Sequence, residues 1–405
     1  MTELQNSLRL PCGEILKNRL AKAAMTERIA NSRQEPTVEH ERLYRAWSET
    51  GAGLLISGNV LVDRDHLESA GNICFDEKSD LEKLKSWAAS VDRPQTHFWI
   101  QLSHAGRQTN RFVNKQPLAP SAIQLHKMGL FGKPKAMDES EILKVIHQFR
   151  KAALITKEAG FTGVQIHAAH GYLLSQFLSP LTNRRTDQWG GSLENRSRLL
   201  KEIVRSVREV VGPEFPISVK LNSADFQHGG FIEDEALNVI EMLEVEGVDL
   251  LEISGGTYEK VAFFLHDEEQ RESTKKREAY FLDFAERVRA SSKMPIMVTG
   301  GFRSSRFCNE ALKANKLDVV GMGRPFLSNI DLIPQFLSNK KITLDNPPIR
   351  SWLKSVNDSA EAGFYARQLI QIAKGQPIKK KMNAFLCANF LVTYEFFKGL
   401  RREKA

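Results

Sequence analysis

The sequence predicts an α/β fold, a (β/α)8 TIM barrel, because eight short apolar segments alternate with longer amphipathic ones. The apolar segments have strand length, and helical periodicity follows most of them. No shift of composition divides the eight units into two groups, which is typical of one closed barrel. The predicted strands are 20–25, 53–60, 97–103, 163–169, 217–222, 250–255, 295–300 and 319–323.

Amphipathic segments connect the predicted strands. Helices are predicted at 38–48, 79–89, 139–158, 193–211, 233–243 and 280–290. Ahead of the first strand, the stretch LRLPCGEILKN has a turn at Pro11 to Gly13. It predicts a hairpin that plugs the floor of the barrel.

A helical extension is predicted after the barrel. We expect residues 1–335 to form the barrel and residues 336–405 to pack on it as a C-terminal extension, not as a separate domain. Both SWLKSVNDSAEAGFYARQLIQIAKG and AFLCANFLVTYEF favour helix, and the aromatic stripe of the second is typical of a core. These helices are expected to cover the barrel wall or to contact a second subunit, so a homo-oligomer is possible.

Composition restricts the class of partner. The chain has 405 residues, 41% of them hydrophobic, a net charge of +8 and a pI of about 9.2. A basic chain can bind nucleic acid. Here the excess is spread along the sequence, with small clusters only at 379–381 and 401–404. This pattern favours a solvated surface, and we expect no nucleic-acid partner.

Cysteine spacing and hydropathy give no sign of a metal centre or a membrane span. Cys12, Cys74, Cys308 and Cys387 are far apart and form no CxxC pair. Zinc sites, iron–sulfur clusters and a disulfide framework are therefore not predicted. No segment has the length and apolarity of a membrane span, and the N-terminus has no basic region followed by an apolar run. We expect a cytoplasmic protein without a membrane partner.

The most informative segment runs from Phe161 to Arg205. It predicts a strand, a long polar loop and a helix. The loop begins with His167, His170 and Tyr172. Two imidazoles can turn toward one anionic oxygen, and a nearby tyrosine hydroxyl can donate a proton. Together these groups could polarise an acceptor and protonate it.

Within this segment, HAAHGYLLSQFLSPLTNRRTDQWGGSLENRSR closely resembles the characteristic stretch of the old yellow enzyme family, the FMN-containing ene-reductases and NADH:flavin oxidoreductases. The resemblance implies that His167 and His170 bind the carbonyl or nitro oxygen of a small electrophilic acceptor and that Tyr172 donates the proton. It also implies noncovalent FMN and ping-pong hydride transfer from NADH or NADPH to an activated C=C bond.

The resemblance also implies contacts to the flavin near the first two strands. In AAMTER, Ala24, Met25 and Thr26 match residues against the isoalloxazine ring, with Thr26 near its O4 and N5 edge. Asn59 matches a small residue beside the flavin. An asparagine is a departure from the family at this position.

Further flavin contacts are implied on the third and fifth strands. Gln101, in QLSHAGRQ, matches a glutamine that bonds the pyrimidine edge, and an amide has the donor and acceptor this requires. For His104 of the same motif, a structural role that braces its loop is as much expected as a part in catalysis. Lys220 stands where many members have arginine, near N1 and O2, so it keeps the charge and loses the forked geometry.

Glycine-rich turns end the last two predicted strands. VTGGFRS and VGMGRPF contain Gly300, Gly301, Phe302, Gly323 and Arg324, at the positions where barrel enzymes commonly bind a phosphate. Glycines let backbone N–H groups approach the anion, and Arg324 adds a forked cation. GxGxxG is absent because position 326 is Phe, so no separate nicotinamide-binding fold is predicted.

The residues also allow two alternative functions. Lys220 could be the nucleophile of a Schiff-base aldolase or lyase whose glycine turns hold a substrate phosphate. The chain could also be a flavin-binding barrel without turnover, although His167, His170 and Tyr172 are all present.

The ISGGTYEK segment and the charged run 266–277 are expected to cover the mouth of the barrel.

Overall fold

The computed structural model describes residues 2–91, 96–126, 129–255, 281–339, 341–345, 349–353 and 356–403. Eight parallel strands close into a barrel, because the last pairs with the first in the register Val320↔Leu20. The barrel strands are β1 Leu20–Lys22, β2 Leu54–Leu61, β3 His97–Ser103, β4 Gly163–Ala168, β5 Ile217–Asn222, β6 Leu250–Ser254, β7 Ile296–Thr299 and β8 Val319–Met322. The predicted fold and all eight strands are confirmed.

Helices surround the barrel. The helices of the described residues are α1 Val38–Ser48, α2 Leu81–Ala89, α3 Glu139–Glu158, α4 Leu173–Leu178, α5 Leu193–Val211, α6 Glu233–Val245, α7 Leu282–Ser291, α8 Ser305–Lys313, α9 Pro325–Ser328, α10 Ile333–Ser338, α11 Asn357–Ala373 and α12 Ala384–Arg401. The six predicted barrel helices correspond to α1, α2, α3, α5, α6 and α7. Within the predicted long loop after β4, the structure instead has the short helix α4.

The start of α5 shows why its bounds agree with the prediction. Ser192 accepts the N–H of Asn195 and caps the first turn. At the other end Gly212 has φ of 83°, a conformation that ends a helix and suits glycine. The first strand is shorter than predicted, since after Ala23 bonds to Met322 O at 2.8 Å the chain leaves the sheet.

The floor of the barrel is apolar and closed by the predicted hairpin. Strands Leu8–Arg9 and Ile15–Leu16 pair antiparallel. Leu10 and Leu16 are buried against inward side chains such as Trp99 and Met297. Trp99 is fully buried, so the lower half of the barrel is a packed core without a channel. Any site inside the barrel must therefore lie toward the C-terminal ends of the strands.

The C-terminal helices α11 and α12 pack on each other, and α11 lies on α1. Phe364 of α11 is fully buried. The expectation that the aromatic stripe of α12 is core is wrong in part, because Phe396 and Phe397 are 45% and 57% exposed. The ring of Phe396 lies 6.1 Å, between centroids, from that of Phe112, which is itself 55% exposed. Within the described part of the chain, no helix combines the length and apolarity needed to cross a membrane.

Residues 256–280 lie outside the described part of the chain. The prediction of a loop over the barrel mouth falls within them.

Candidate active site

A connected layer of polar side chains lies above the apolar floor. Gln101 Nε2 on β3 donates to Gln165 Oε1 on β4 at 2.7 Å. Gln165 Nε2 donates to Glu252 Oε2 on β6 at 2.8 Å, and Lys220 Nζ on β5 lies 2.8 Å from Glu252 Oε1. Four neighbouring strands thus present one network of amides and charges to the interior. Gln165 and Glu252 are not among the predicted site residues, although the alternation along their strands places them on the inward faces.

The Lys220–Glu252 ion pair is buried, with side chains 5% and 0% exposed. An ammonium group paired with a carboxylate has no lone pair with which to attack a carbonyl carbon. The pair is therefore unsuited to the Schiff-base alternative. It also means that the cation predicted near the flavin is accompanied by a negative charge.

His167 is a neutral hydrogen-bond donor. Its Nδ1 accepts the backbone N–H of Ala169 at 3.2 Å, so the neutral ring carries its hydrogen on Nε2. Burial, followed by the charges of His170 and Lys220, holds the pKa of His167 well below its ordinary value. The imidazole consequently stays uncharged at physiological pH.

His170 is held by the ends of two strands. Its backbone N–H donates to Asn222 Oδ1 at 3.1 Å, and its Nε2 lies 2.7 Å from Ser254 Oγ. The residue has φ of 59°, a left-handed conformation that is uncommon outside glycine. Burial and then Lys220 hold the pKa of His170 well below its usual range.

The three predicted catalytic side chains form one cluster. The His167 ring centroid lies 5.1 Å from that of His170 and 4.9 Å from that of Tyr172. Tyr172 is 3% exposed and packs in an apolar cluster with Leu61 and Ala105. Its position directly before α4 brings the phenol back to the end of β4.

Gln176 of α4 holds the turn that carries Tyr172. Its Nε2 donates to Gly171 O at 2.7 Å, and its Oε1 accepts the N–H of Arg107 at 3.1 Å. A Cβ at Gly106 would come within 2.5 Å of Gln176 Oε1, and Gly106 has φ of 56°. Only glycine allows the loop after β3 to approach α4 this closely.

Asp63, His66 and His104 lie close enough together to be considered as metal ligands. His66 Nε2 accepts the N–H of Leu118 at 3.0 Å, so its hydrogen is on Nδ1, 3.3 Å from Asp63 Oδ2. His104 Nδ1 accepts the N–H of Gly106 at 3.1 Å, so its hydrogen is on Nε2. The nitrogens that would bind a metal therefore carry hydrogens. His104 therefore braces its own loop, which is one of the two roles that the sequence left open for it.

Thr26 and Asn59 share the carboxylate of Glu68. Thr26 Oγ1 and Asn59 Nδ2 donate to Glu68 Oε2 at 3.0 and 2.6 Å. With these hydrogens engaged, Thr26 offers an oxygen lone pair, and Asn59 Oδ1 is a buried acceptor without a hydrogen-bond partner among the described residues. A buried acceptor of this kind suits a ligand N–H group. Glu68 carries no recognisable motif, and the sequence did not point to it.

The ends of β7 and β8 have the backbone that an anion site requires. Gly300 and Gly301 have φ of 126° and 84°, and Phe302 behind them is buried. Thr299 Oγ1 is buried and has no partner among the described residues. A Cβ at Gly323 would lie 3.3 Å from Met25 Sδ, so the glycine lets the end of β8 approach the residues after β1.

Arg324 has a partner that sequence reasoning did not anticipate. Its Nη1 donates to Glu361 Oε1 of α11 at 2.7 Å, with side chains 36% and 13% exposed. The guanidinium has five N–H donors, so an ion pair through Nη1 leaves others for a phosphate.

Together these residues fit FMN. The glycines of β7 and β8 suit its phosphate, Ala24 and Met25 are half-buried apolar residues at the end of β1, and the unpartnered oxygens of Asn59 and Thr299 suit hydrogen-bond donors. The amide and charge network of β3 to β6 offers partners for a polar ring edge.

A barrel with glycine-rich ends of β7 and β8, a polar interior and a histidine–tyrosine cluster at its strand ends has the features of a flavin-dependent oxidoreductase of the TIM-barrel class. The chain belongs to the NADH:flavin oxidoreductase / NADH oxidase family, whose model matches residues 13–341. It is an enzyme that uses FMN with NADH or NADPH, as the family does.

Similar proteins agree with this assignment. An NADH-dependent flavin oxidoreductase of Hypocrea jecorina is 37% identical over 385 residues, which cover 87% of this chain and 95% of that protein. Its counterpart in a Neonectria species is 37% identical over 84% of this chain, and the chain spans 48% of that protein's length. The structure of an old yellow enzyme homologue from Zymomonas mobilis matches with a TM-score of 0.71 at 26% identity, covering 85% of this chain and 95% of that one.

Proposed function

We propose that this enzyme reduces an activated C=C bond of an enone-type acceptor with electrons from NADH or NADPH. The supporting observation is the cluster of neutral His167, His170 and Tyr172 at the end of β4. Its geometry combines hydrogen-bond donors for an oxygen with an acid for a carbon atom. When bound, FMN supplies the hydride chemistry of the family.

His167 binds the acceptor's oxygen in this proposal. Its Nε2–H is a fixed donor, because Nδ1 is occupied by Ala169. Such a bond strengthens as negative charge develops on the oxygen during reduction. His170 is oriented by Ser254 and supports the same oxygen.

Tyr172 donates a proton to the α-carbon. Its side chain packs against Leu61 and Ala105, which fixes the phenol beside His167 at the end of β4. The proton goes to carbon and not to the acceptor's oxygen, which the imidazoles hold.

The flavin is held by residues from both halves of the barrel. In this proposal Thr26 and Asn59 would hold one edge of the flavin ring system, and Gln101 and Lys220 would hold its pyrimidine side. Because Glu252 accompanies Lys220, we propose that the cation stabilises negative charge on reduced flavin less than an unpaired arginine would.

The first prediction tests ene-reduction itself. Without oxygen, NADH or NADPH should bleach the flavin absorbance of the purified enzyme, and an enone such as cyclohexenone should restore it. Absorbance traces in a sealed cuvette follow both steps. If oxygen or a quinone restored the colour and no enone did, the enzyme would be a flavin oxidoreductase without ene-reduction.

The second prediction tests the phosphate role of Arg324. Arg324→Ala should weaken FMN binding by about 10-fold to 100-fold, the effect expected for loss of a charge-assisted hydrogen bond. Quenching of FMN fluorescence measures the affinity. Glu361→Gln is the matched control, since it removes the negative charge of the protein partner and keeps the cation. Equal weakening by both substitutions would mean that Arg324 only anchors α11.

A further inference from the structure

The last helix, α12, is bonded to the loops that follow β1 and β2. Tyr394 Oη donates to Arg28 O at 2.9 Å, and Lys398 Nζ donates to Ala30 O at 2.6 Å. Glu395 Oε1 accepts the hydroxyl of Ser69 at 2.6 Å. Because both loops begin at the C-terminal ends of their strands, this helix holds part of the rim of the active site.

Arg28 connects two carboxylates at this rim. Its Nε lies 3.1 Å from Glu395 Oε1, and its Nη2 lies 3.0 Å from Glu68 Oε1. The three side chains are 22%, 15% and 7% exposed for Arg28, Glu395 and Glu68, so water screens the pairs only in part. A fixed guanidinium fork makes such a bridge directional.

The backbone at Arg28 adds a second constraint. Arg28 has φ of 62°, a left-handed conformation that is unfavourable outside glycine and persists only where its surroundings enforce it. Tyr394 binds its carbonyl from one side. Gly71 lies against the same carbonyl, since a Cβ there would come within 2.2 Å of Arg28 O.

Glu68 decides which groups Thr26 and Asn59 offer to a ligand. It accepts a hydrogen from each of them. Each therefore presents an acceptor oxygen to the site. If Glu68 moved away, the Thr26 hydroxyl could rotate and the Asn59 amide could turn, and both could then donate.

We infer that Glu395 is a positioning residue, which acts through Arg28 and Glu68 to keep Thr26 and Asn59 as acceptors at the flavin edge. The inference rests on the proposed placement of the flavin beside Thr26 and Asn59. In the described part of the chain Glu395 bonds to Arg28 and Ser69 and makes no hydrogen bond to Thr26 or Asn59, so its proposed effect on the flavin edge passes through the Arg28–Glu68 ion pair. A helix at the end of the chain thereby tunes the redox properties of a site formed by its beginning.

The third prediction is a shift in flavin potential. Glu68→Gln should favour reduced over oxidised FMN by roughly tenfold, which is ~30 mV for a two-electron couple, and Glu395→Gln by roughly threefold, ~15 mV. Each substitution removes a negative charge that repels the electron-rich reduced ring, and a hydrogen of Thr26 or Asn59 that is freed from Glu68 could donate to that ring; both effects favour the reduced form. Equilibration with reference dyes measures the midpoint potential of the holoenzyme.

The double variant Glu68→Gln/Glu395→Gln separates a relay from two independent charges. If Glu395 acts through Glu68, the double variant should have the potential of Glu68→Gln alone. Additive shifts would overturn the inference. Glu403→Gln is the matched control. Glu403 also pairs with an arginine of the loop after β1, Arg33, but this pair does not include Glu68. The control variant should therefore leave the potential unchanged.

Two further variants cover the remaining outcomes. If Glu395→Gln does not fold, Ser69→Ala removes the hydrogen bond that orients Glu395 and should shift the potential in the same direction by a smaller amount. A lowered melting temperature with an unchanged potential would assign Glu395 a structural role only. If Thr26→Ala and Asn59→Ala also leave the potential and the FMN affinity unchanged, the proposed placement of the flavin is wrong. If these two variants change the potential or the affinity and Glu395→Gln changes neither, only the inference about Glu395 is wrong.

Discussion

Tyr172→Phe should slow the reduction of an enone by a factor on the order of 10² to 10⁴, the usual contribution of a positioned general acid. Oxidation of NADH or NADPH by the same variant should be nearly unchanged, because no carbon is protonated in that half of the cycle. Phenylalanine fills nearly the same volume beside Leu61 and Ala105, so packing is retained. Stopped-flow absorbance measures the two half-reactions separately.

The choice of acceptor provides the control for Tyr172. Oxygen and quinones need no proton at carbon, so their reduction by Tyr172→Phe should stay near the unsubstituted rate. Because Tyr172 is 3% exposed, a packing role is the competing explanation. Equal slowing with oxygen, quinone and enone would support packing and remove Tyr172 from the proposed chemistry.

Replacing both His167 and His170 with alanine should leave FMN bound and reducible while weakening phenolic ligands and slowing enone reduction. Each lost hydrogen bond to a charged oxygen is expected to cost about 1.5–3 kcal/mol, or roughly 10-fold to 100-fold in affinity. Spectral titration with a phenol measures binding, and stopped-flow measures turnover. Loss of the flavin, or unfolding, would instead favour a structural role for the pair.

His170→Asn is the variant matched to the left-handed backbone conformation of His170. At φ of 59°, alanine adds backbone strain besides removing the imidazole, whereas asparagine tolerates the left-handed region. His170→Asn should therefore keep the fold and retain more ligand affinity than His170→Ala. If both variants lost the same affinity, the imidazole itself would be required.

The charge state of the pair gives this prediction a pH dependence. The pKa of each histidine is depressed in the folded protein, first by burial, so the neutral form persists as pH falls below the ordinary histidine range. Between about pH 6 and 8, phenol affinity should follow the ionisation of the phenol alone. An additional transition near the ordinary histidine value would show that one ring becomes charged.

Local patterns in the sequence determined the barrel and the cluster of His167, His170 and Tyr172. The eight strands could be predicted because each is a short apolar run buried on both faces, between the barrel interior and the helices, whereas the helices between them are amphipathic. His167, His170 and Tyr172 are near one another along the chain, so a strand followed by a tight turn was enough to bring them together. The hairpin at the barrel floor was equally local, since a turn sequence joins its two strands.

Tertiary structure alone decided the partners of these residues. Alternation along a strand shows that Lys220 faces inward, but only the alignment of β5 with β6 places Glu252 beside it. Glu68, Glu361 and Glu395 occupy loops or helices without a motif, and each pairs with an arginine far away in the sequence. The exposure of Phe396 and Phe397 likewise depends on which face of α12 meets α11. Sequence patterns specify the direction of a side chain, whereas the closure of the barrel and the docking of its last helices specify what it meets.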